Sequence, residues 1–159
     1  MERLPGLSKT LPPRLDLWGR VMPVASRWMT PYEPNPVDQE LVRLGLGLAA
    51  HPDDVMGEEL TPKEKHWYHK RAGTLAFENL QTLIASDLYQ KLKAGSIKGV
   101  KIASDTARNQ IRKKVNDARK VAAAELVLSS PYSEGLKELF ELRQEELRQT
   151  MKELKEVVR

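Results

Sequence analysis

The sequence predicts an all-α protein: a small helical bundle that follows an extended, proline-rich N-terminal arm and ends in a long amphipathic helix. Three observations support this fold class. Apolar residues recur at intervals of three, four and seven over several long segments, which is the spacing of one helix face. Seven of the ten prolines lie within the first 36 residues. No strand-like alternation or hairpin turn signal competes with the helical spacing.

The length and composition suggest one small domain with additions at both ends. The chain has 159 residues, about the length of a single domain. We divide it into an arm (1–36), a helical domain (37–130) and a C-terminal amphipathic helix (131–159). Charged residues make up 30% of the chain and the mean hydropathy is −0.52, at the polar end of globular composition. We therefore expect the chain to need a partner to complete its core.

The composition also excludes several classes of protein. With no cysteine, the chain has no disulfide framework, no thiolate zinc site and no cysteine nucleophile. No apolar run has the length of a membrane-spanning helix, and the N-terminus lacks the apolar stretch of a secretory signal. We expect a soluble protein that is synthesised in the cytoplasm and has no membrane-spanning segment.

The N-terminal arm contains large apolar side chains between its prolines, among them Trp18, Trp28 and Tyr32. Each proline fixes its own φ, removes a backbone donor and disfavours a helical conformation in the preceding residue. The arm should therefore be extended, but a solvated linker would not contain two tryptophans. We expect it to lie across an apolar surface, either of its own domain or, in the interpretation we favour, of a neighbouring subunit.

Helix boundaries are marked in the helical domain. The first helix should begin at Pro36 and end near Gly45. Thr61 and Glu64 form a capping box around Pro62, which predicts a helix that runs to about residue 85, with a looser turn at Gly73.

Two more helices should complete this domain. A short helix begins after Ser86 and stops at Gly95, and a long one spans about 104–128. The apolar stripe of the long helix is Ala107, Ile111, Val115, Ala118, Ala122 and Leu126. Its small members suit close packing against another helix.

The last predicted helix begins near residue 134. Its apolar residues are separated by seven, four, three and four positions: Phe140, Leu147, Met151, Leu154 and Val158. This spacing approaches a heptad repeat with Gln144 in a polar position. Because little more than two heptads is marginal for an autonomous coiled coil, we expect this helix to dock on another helix. The predicted partner-binding residues are Trp18, Trp28, Tyr32, Phe140, Leu147, Met151 and Leu154.

Positive charge is concentrated in the middle of the chain. The net charge is +4, but residues 61–132 contain fourteen basic and six acidic residues. This segment is either an ordinary solvated helix face or a surface that neutralises phosphates with little sequence preference. The candidate nucleic-acid-binding residues are Arg108, Arg112, Lys113, Arg119 and Lys120. Aromatic residues for base stacking are nearly absent nearby, so recognition of single strands is not expected.

Catalytic motifs are scarce. His66 and His69 are spaced to present two ligands to one metal, but with no clear third ligand exposed histidines beside a packed tryptophan are the simpler interpretation. His51 stands in an acidic, turn-forming loop. We expect no catalytic residue, no cofactor and no bound metal, and therefore no enzyme. A metal-dependent enzyme that uses His66 and His69 is the remote alternative.

The order of motifs between about residues 34 and 128 resembles a known family. The matching elements are Arg43-Leu44-Gly45, the Leu60 to Glu64 helix start, Tyr68, Ala72-Gly73, Ser86 with Tyr89, Ala107-Arg108 and Ala118-Arg119. They resemble the C-terminal region of large bacteriophage tape-measure-like and internal virion (ejection) proteins, some of which contain large polyvalent protein-associated domains. None of the matched residues is catalytic, and 134–159 lie outside the resemblance.

The resemblance implies a structural or ejection-associated protein of the phage virion, made in the host cytoplasm. Its partners would be other virion proteins or copies of itself, in a homo-oligomer or a hetero-assembly, with DNA as a further partner. The alternative is a small basic nucleic-acid-binding or host-directed regulatory protein. Both interpretations stay open from the sequence.

Overall fold

Helices dominate the computed structural model, which describes residues 12–22, 35–94, 100–132 and 134–159. The elements are α1 (Pro36–Leu44), β1 (Asp54–Val55), β2 (Glu58–Glu59), α2 (Pro62–Ala85), α3 (Asp87–Lys93), α4 (Val100–Ser129) and α5 (Glu134–Val158). The predicted all-α fold class is therefore confirmed. The predicted division near residue 36 falls at the start of α1, and the division near 130 falls in the loop before α5.

The residues predicted to cap the helices form these caps in the structure. Thr61 Oγ1 accepts from the Glu64 amide at 3.3 Å, and Glu64 Oε1 accepts from the Thr61 amide at 3.1 Å, which completes the capping box of α2. Ser86 Oγ accepts from the Tyr89 amide at 3.3 Å and starts α3. At the end of α1, Gly45 takes the left-handed conformation (φ 59°) that favours glycine.

The core lies mainly between α2 and α4, which pack against each other along much of their lengths. The predicted stripe of α4 is completely buried: Ala107, Ile111, Val115, Ala118, Ala122 and Leu126 are each at most 1% exposed. Ala72 and Ala76 of α2 are also buried, so small side chains on both helices permit their close approach. One apolar cluster includes Val37 and Tyr89 from α1 and α3.

A second apolar cluster forms under the loop before α2 and contacts the start of α5. It includes Val55, Leu60, Tyr68 and Leu136, all of them buried. Because Leu136 is buried and Phe140 is partly buried against the same cluster, the base of α5 is fixed to the bundle.

The loop before α2 contains a hairpin that the sequence did not predict. Strands β1 and β2 pair antiparallel, with Asp54 opposite Glu59 and Val55 opposite Glu58. Met56 (φ 54°) and Gly57 (φ 79°) form the two-residue turn, and positive φ at both positions is required by the turn type that matches strand twist. Methionine is an uncommon residue at the first of these positions, so the turn signal was missing from the sequence.

None of the helices in the described ranges combines the length and the apolar composition that crossing a membrane requires.

Candidate interaction surfaces

Residues 14–22 form a tight loop, called here the arm loop. Leu15 and Val21 form an antiparallel bridge, and the Asp16 carboxylate accepts from the amides of Trp18 (3.0 Å) and Arg20 (2.8 Å). At the tip, Gly19 has φ +74°, which favours glycine. The proline-rich arm is therefore folded back on itself here rather than simply extended.

The arm loop docks on α2 through a contact between two glycines. A Cβ added to Gly73 would lie 2.5 Å from the Trp18 carbonyl carbon and 2.7 Å from the Leu17 oxygen, and one added to Gly19 would lie 2.5 Å from the Lys70 oxygen. Any larger residue would push the loop away from the helix. The expected loosening of α2 at Gly73 is wrong, since the helix continues through this position.

Trp18 lies in the core of its own chain. Its side chain is 5% exposed, its Nε1–H donates to Asp38 Oδ1 at 2.9 Å, and its ring lies 5.6 Å from that of Phe77. The expectation that Trp18 contacts a neighbouring subunit is therefore wrong in this structure, because the bundle already covers the ring. Trp28 and Tyr32, the other two aromatic residues predicted to bind a partner, lie outside the described residues.

His51 and Arg119 connect the arm loop to α4. His51 Nε2 lies 2.8 Å from the Leu17 carbonyl oxygen, and Arg119 Nε donates to His51 Nδ1 at 3.1 Å. With Nδ1 accepting, Nε2 is the protonated nitrogen and the ring is neutral. Burial lowers the pKa of His51, and the nearby charges of Arg119 and His69 lower it further, against the hydrogen bond to Leu17.

Two of the five predicted nucleic-acid-binding residues have intramolecular roles. Arg108 Nε donates to the Leu44 carbonyl oxygen at 2.9 Å, and its Nη1 lies 2.8 Å from Asp105 Oδ1. Besides His51, Arg119 donates to the Ala49 carbonyl oxygen at 2.6 Å. Arg108 therefore holds the end of α1 against α4, and Arg119 holds the loop that follows α1.

The other three predicted residues, Arg112, Lys113 and Lys120, are exposed on α4. At 100° per residue they fall within about 100° of arc, with Lys113 and Lys120 opposite the buried stripe and Arg112 beside it. We call these three residues the α4 basic face. A surface of this kind can contact phosphates.

The histidines are arranged differently from the sequence pattern. His69 Nε2 lies 2.9 Å from the Pro52 carbonyl oxygen, and its ring centroid lies 5.6 Å from that of His51. The structure thus pairs His69 with His51, from the loop, whereas the sequence suggested a pair with His66. Among the described residues, no three histidine or carboxylate side chains form a group that could hold a metal ion.

A buried carboxylate that sequence reasoning missed joins α1 to α3. Glu40 is 3% exposed, and its carboxylate accepts from Tyr89 Oη at 2.6 Å and from Arg43 Nε at 3.0 Å, with Lys93 Nζ at 3.3 Å. Burial alone would raise the pKa of Glu40, but hydrogen bonds from Arg43 and Tyr89 and the charges of Arg43 and Lys93 lower it to about 2. Through these contacts the Glu40 carboxylate connects α1 to Tyr89 and Lys93 of α3.

Among the described residues, exposed large apolar side chains are concentrated on α5. We call its heptad-spaced residues the α5 stripe: Phe140, Gln144, Leu147, Met151, Leu154 and Val158. They fall within about 80° of arc on the helix. Leu147 is 65% exposed, Met151 56% and Leu154 54%, and every residue from 141 to 159 is exposed. Within the part of the chain that the structure describes, α5 contacts the bundle through Leu136 and Phe140 at its base.

Charged residues border the α5 stripe. One edge has Glu141, Arg148 and Lys155, and the other begins with Arg143. A shallow depression beside the first edge is lined by Leu147, Arg148, Met151, Lys152 and Lys155. Apolar centre and charged edges together make a surface that can bind another helix.

Comparison with protein-family models, curated proteins and solved structures gave no match to this chain.

Proposed function

We propose that this chain is a structural or ejection-associated protein of a bacteriophage particle, and that it assembles with other subunits through the α5 stripe. The observation that supports assembly most directly is the exposure of this stripe along the last 18 residues of α5. The phage particle is suggested by the order of motifs between residues 34 and 128. The bundle would hold the base of α5 while the rest of the helix extends toward a neighbour.

The physical argument for a partner concerns both burial and helix stability. A helix in water without tertiary contacts is marginal, since most helical stability in proteins comes from packing of its apolar face. Beyond Phe140 the α5 stripe packs against nothing in the described residues, yet its spacing is as regular as that of a buried face. A second helix would bury these side chains and stabilise α5 at the same time.

Mass spectrometry of purified particles tests this proposal. In particles of the phage that encodes the chain, the wild-type protein should be present in a fixed ratio to the major structural proteins. A Leu147→Glu/Met151→Glu variant, which places charges in the α5 stripe, should be lost from particles. Leu142→Glu, on the opposite side of the same helix, is the matched control and should be retained. A chain that is abundant in infected cells but absent from particles would contradict the proposal.

The α4 basic face supports a second candidate function, sequence-tolerant binding of double-stranded nucleic acid. Affinity for duplex DNA should then fall steeply with salt, because each phosphate contact releases counterions. Arg112→Glu/Lys113→Glu should weaken binding and reduce the salt slope. The control Lys63→Glu/Lys137→Glu makes the same charge change at exposed positions on α2 and α5. Equal effects of the two double variants would show that net charge, not this face, determines the binding.

A further inference from the structure

We propose that the partner of the α5 stripe is the same stripe of a second copy, with the two α5 helices antiparallel about a two-fold axis between Leu147 and Met151. This inference rests on the proposed function, since it names the subunit that the α5 stripe contacts. It also fixes the orientation and the register of that contact.

The register follows from the heptad positions. Phe140, Leu147 and Leu154 occupy one core position of the repeat, and Gln144, Met151 and Val158 occupy the other. In an antiparallel pair each core position faces the opposite type. Pairing Leu147 with the second copy's Met151 also places Gln144 beside Leu154 and Phe140 beside Val158. Every residue of the α5 stripe then faces another one, with none left over.

The charges at the edges favour this antiparallel arrangement. Glu141 and Lys155 lie on the same edge, 14 residues apart, so the antiparallel register brings Glu141 of each copy beside Lys155 of the other. Two opposite-charge pairs form. The single like-charge pair, at the two-fold axis, is Arg148 of one copy with Arg148 of the other. In a parallel pair, Arg143 of each copy would face Arg148 of the other, which gives two like-charge pairs and no compensating opposite pair.

The position of the bundle gives the same orientation. The bundle is attached at the base of α5, through Leu136 and Phe140. A parallel pair would bring two bundles to the same end of a short two-helix stem, whereas an antiparallel pair separates them by about 27 Å, the length of 18 helical residues. Gln144 is the one residue of the α5 stripe that favours a parallel pair, because the two glutamines could then hydrogen-bond to each other. Its long side chain can instead reach solvent beside Leu154.

Disulfide crosslinking tests orientation without background, because the natural sequence contains no cysteine. A tagged Gln144→Cys variant and an untagged Leu154→Cys variant are mixed and oxidised at micromolar concentration. The antiparallel register predicts mainly the mixed disulfide between the two variants. In a parallel pair each core position faces the same position of the second copy, so both homodimers would form and the mixed disulfide would not. Predominance of either homodimer over the mixed disulfide, or absence of any crosslink, overturns the proposal.

Light scattering with charge exchange tests the edge contacts. The wild-type chain should have twice the monomer mass of 18.1 kDa. Glu141→Lys should weaken the dimer about tenfold, because two exposed opposite-charge pairs become like-charge pairs. Adding Lys155→Glu should restore the dimer, since the swapped charges again face one another. Leu147→Glu/Met151→Glu should be monomeric, and Leu142→Glu dimeric. A cooperative thermal unfolding transition in each variant, followed by circular dichroism, shows that the bundle is folded even where α5 loses helix content.

These measurements separate the inference from the proposed function. A chain that stays monomeric at all concentrations but is recovered in phage particles overturns self-pairing and leaves the particle assignment standing. A dimer with the predicted crosslink that is absent from particles supports self-pairing and overturns the particle assignment.

Discussion

α4 and α5 are long amphipathic helices with regular apolar spacing, yet their faces have opposite environments. The stripe of α4 is at most 1% exposed at each predicted position, whereas Leu147, Met151 and Leu154 of α5 are all more than half exposed. Spacing therefore predicts that a face requires cover, but it does not predict which molecule provides that cover. The α4 stripe is covered mainly by α2, with a contribution from α3. For α5 beyond Phe140 the described part of the chain provides no cover.

Side-chain size explains part of the difference. The α4 stripe contains three alanines among its six residues and meets Ala72 and Ala76 of α2, so the two helices approach closely. The α5 stripe contains no alanine and consists mainly of large, flexible side chains, which suit the wider knobs-into-holes packing of a coiled coil. The two faces are therefore built for different neighbours.

The largest loss of stability is expected from truncating a residue of the buried α4 stripe. Ile111→Ala should lower the free energy of unfolding by about 2–5 kcal/mol, because Ile111 is completely buried and its truncation leaves a cavity. Leu147→Ala should change the stability of the monomer by less than about 0.5 kcal/mol, as for other exposed positions. Urea unfolding at a concentration that keeps the chain monomeric measures both. Similar losses would mean that Leu147 is buried by its own chain.

A smaller effect is expected where the arm loop meets α2. Gly73→Ala should lower the free energy of unfolding by about 1–3 kcal/mol, because the added methyl overlaps the backbone of Leu17 and Trp18. Gly135→Ala is the control: its Cβ would meet nothing within 4 Å, so α5 should be unchanged or slightly stabilised. Thermal unfolding followed by circular dichroism compares the two. If Gly73→Ala is neutral, the arm loop does not pack on α2.

A comparable or slightly smaller loss of stability is expected when the hydrogen bond between Tyr89 of α3 and Glu40 of α1 is removed. Tyr89→Phe removes one donor from the buried Glu40 carboxylate and should cost about 1–2 kcal/mol at pH 7. Because the pKa of Glu40 is lowered to about 2, its contribution is fully present above pH 4.5 and is lost as pH falls toward 2. The difference in free energy of unfolding between Tyr89→Phe and the wild type should therefore become smaller in acid. Tyr132→Phe, at an exposed position, should show no difference at any pH.

The smallest effect expected is the pH response of His51. Its pKa is lowered in the folded state, so its contribution to stability is fully present above the ordinary value of 6.5 and decreases as pH falls below it. Protonation would place an N–H against the Arg119 guanidinium and break that hydrogen bond. The thermal midpoint of the wild-type protein should decrease as pH is lowered from 7.5 to 5. The midpoint of the His51→Asn variant should decrease less over the same range. An equal decline in both proteins would assign the response to other groups.

The sequence predicted local features well and long-range pairings poorly. The capping box at Thr61, the start of α3 at Ser86 and the stripe of α4 depend on neighbouring residues, and all three are confirmed. The contacts of Arg119 with Ala49 and His51, and of Tyr89 with Glu40, join residues 49 or more positions apart. No periodicity encodes such pairs, so a basic residue on a helix looks the same whether it meets solvent or a carbonyl group.

The same limit applies to the candidate surfaces. Trp18 and Leu147 were both predicted to bind a partner because large apolar residues require cover. Only the tertiary structure shows that the bundle covers Trp18 and leaves Leu147 exposed. For Trp18 the one signal in the sequence was glycine, since Gly19 and Gly73 make the close approach that brings the loop onto α2.

Hydrogen–deuterium exchange of α5 as a function of protein concentration tests the central claim, that the α5 stripe is covered only by another subunit. Amides in 144–158 should exchange rapidly in dilute solution, where light scattering gives a monomer, and slowly in the assembled state, while α4 amides stay protected in both. Equal protection of 144–158 and α4 in the proven monomer would contradict the account, because the chain itself would then cover the helix.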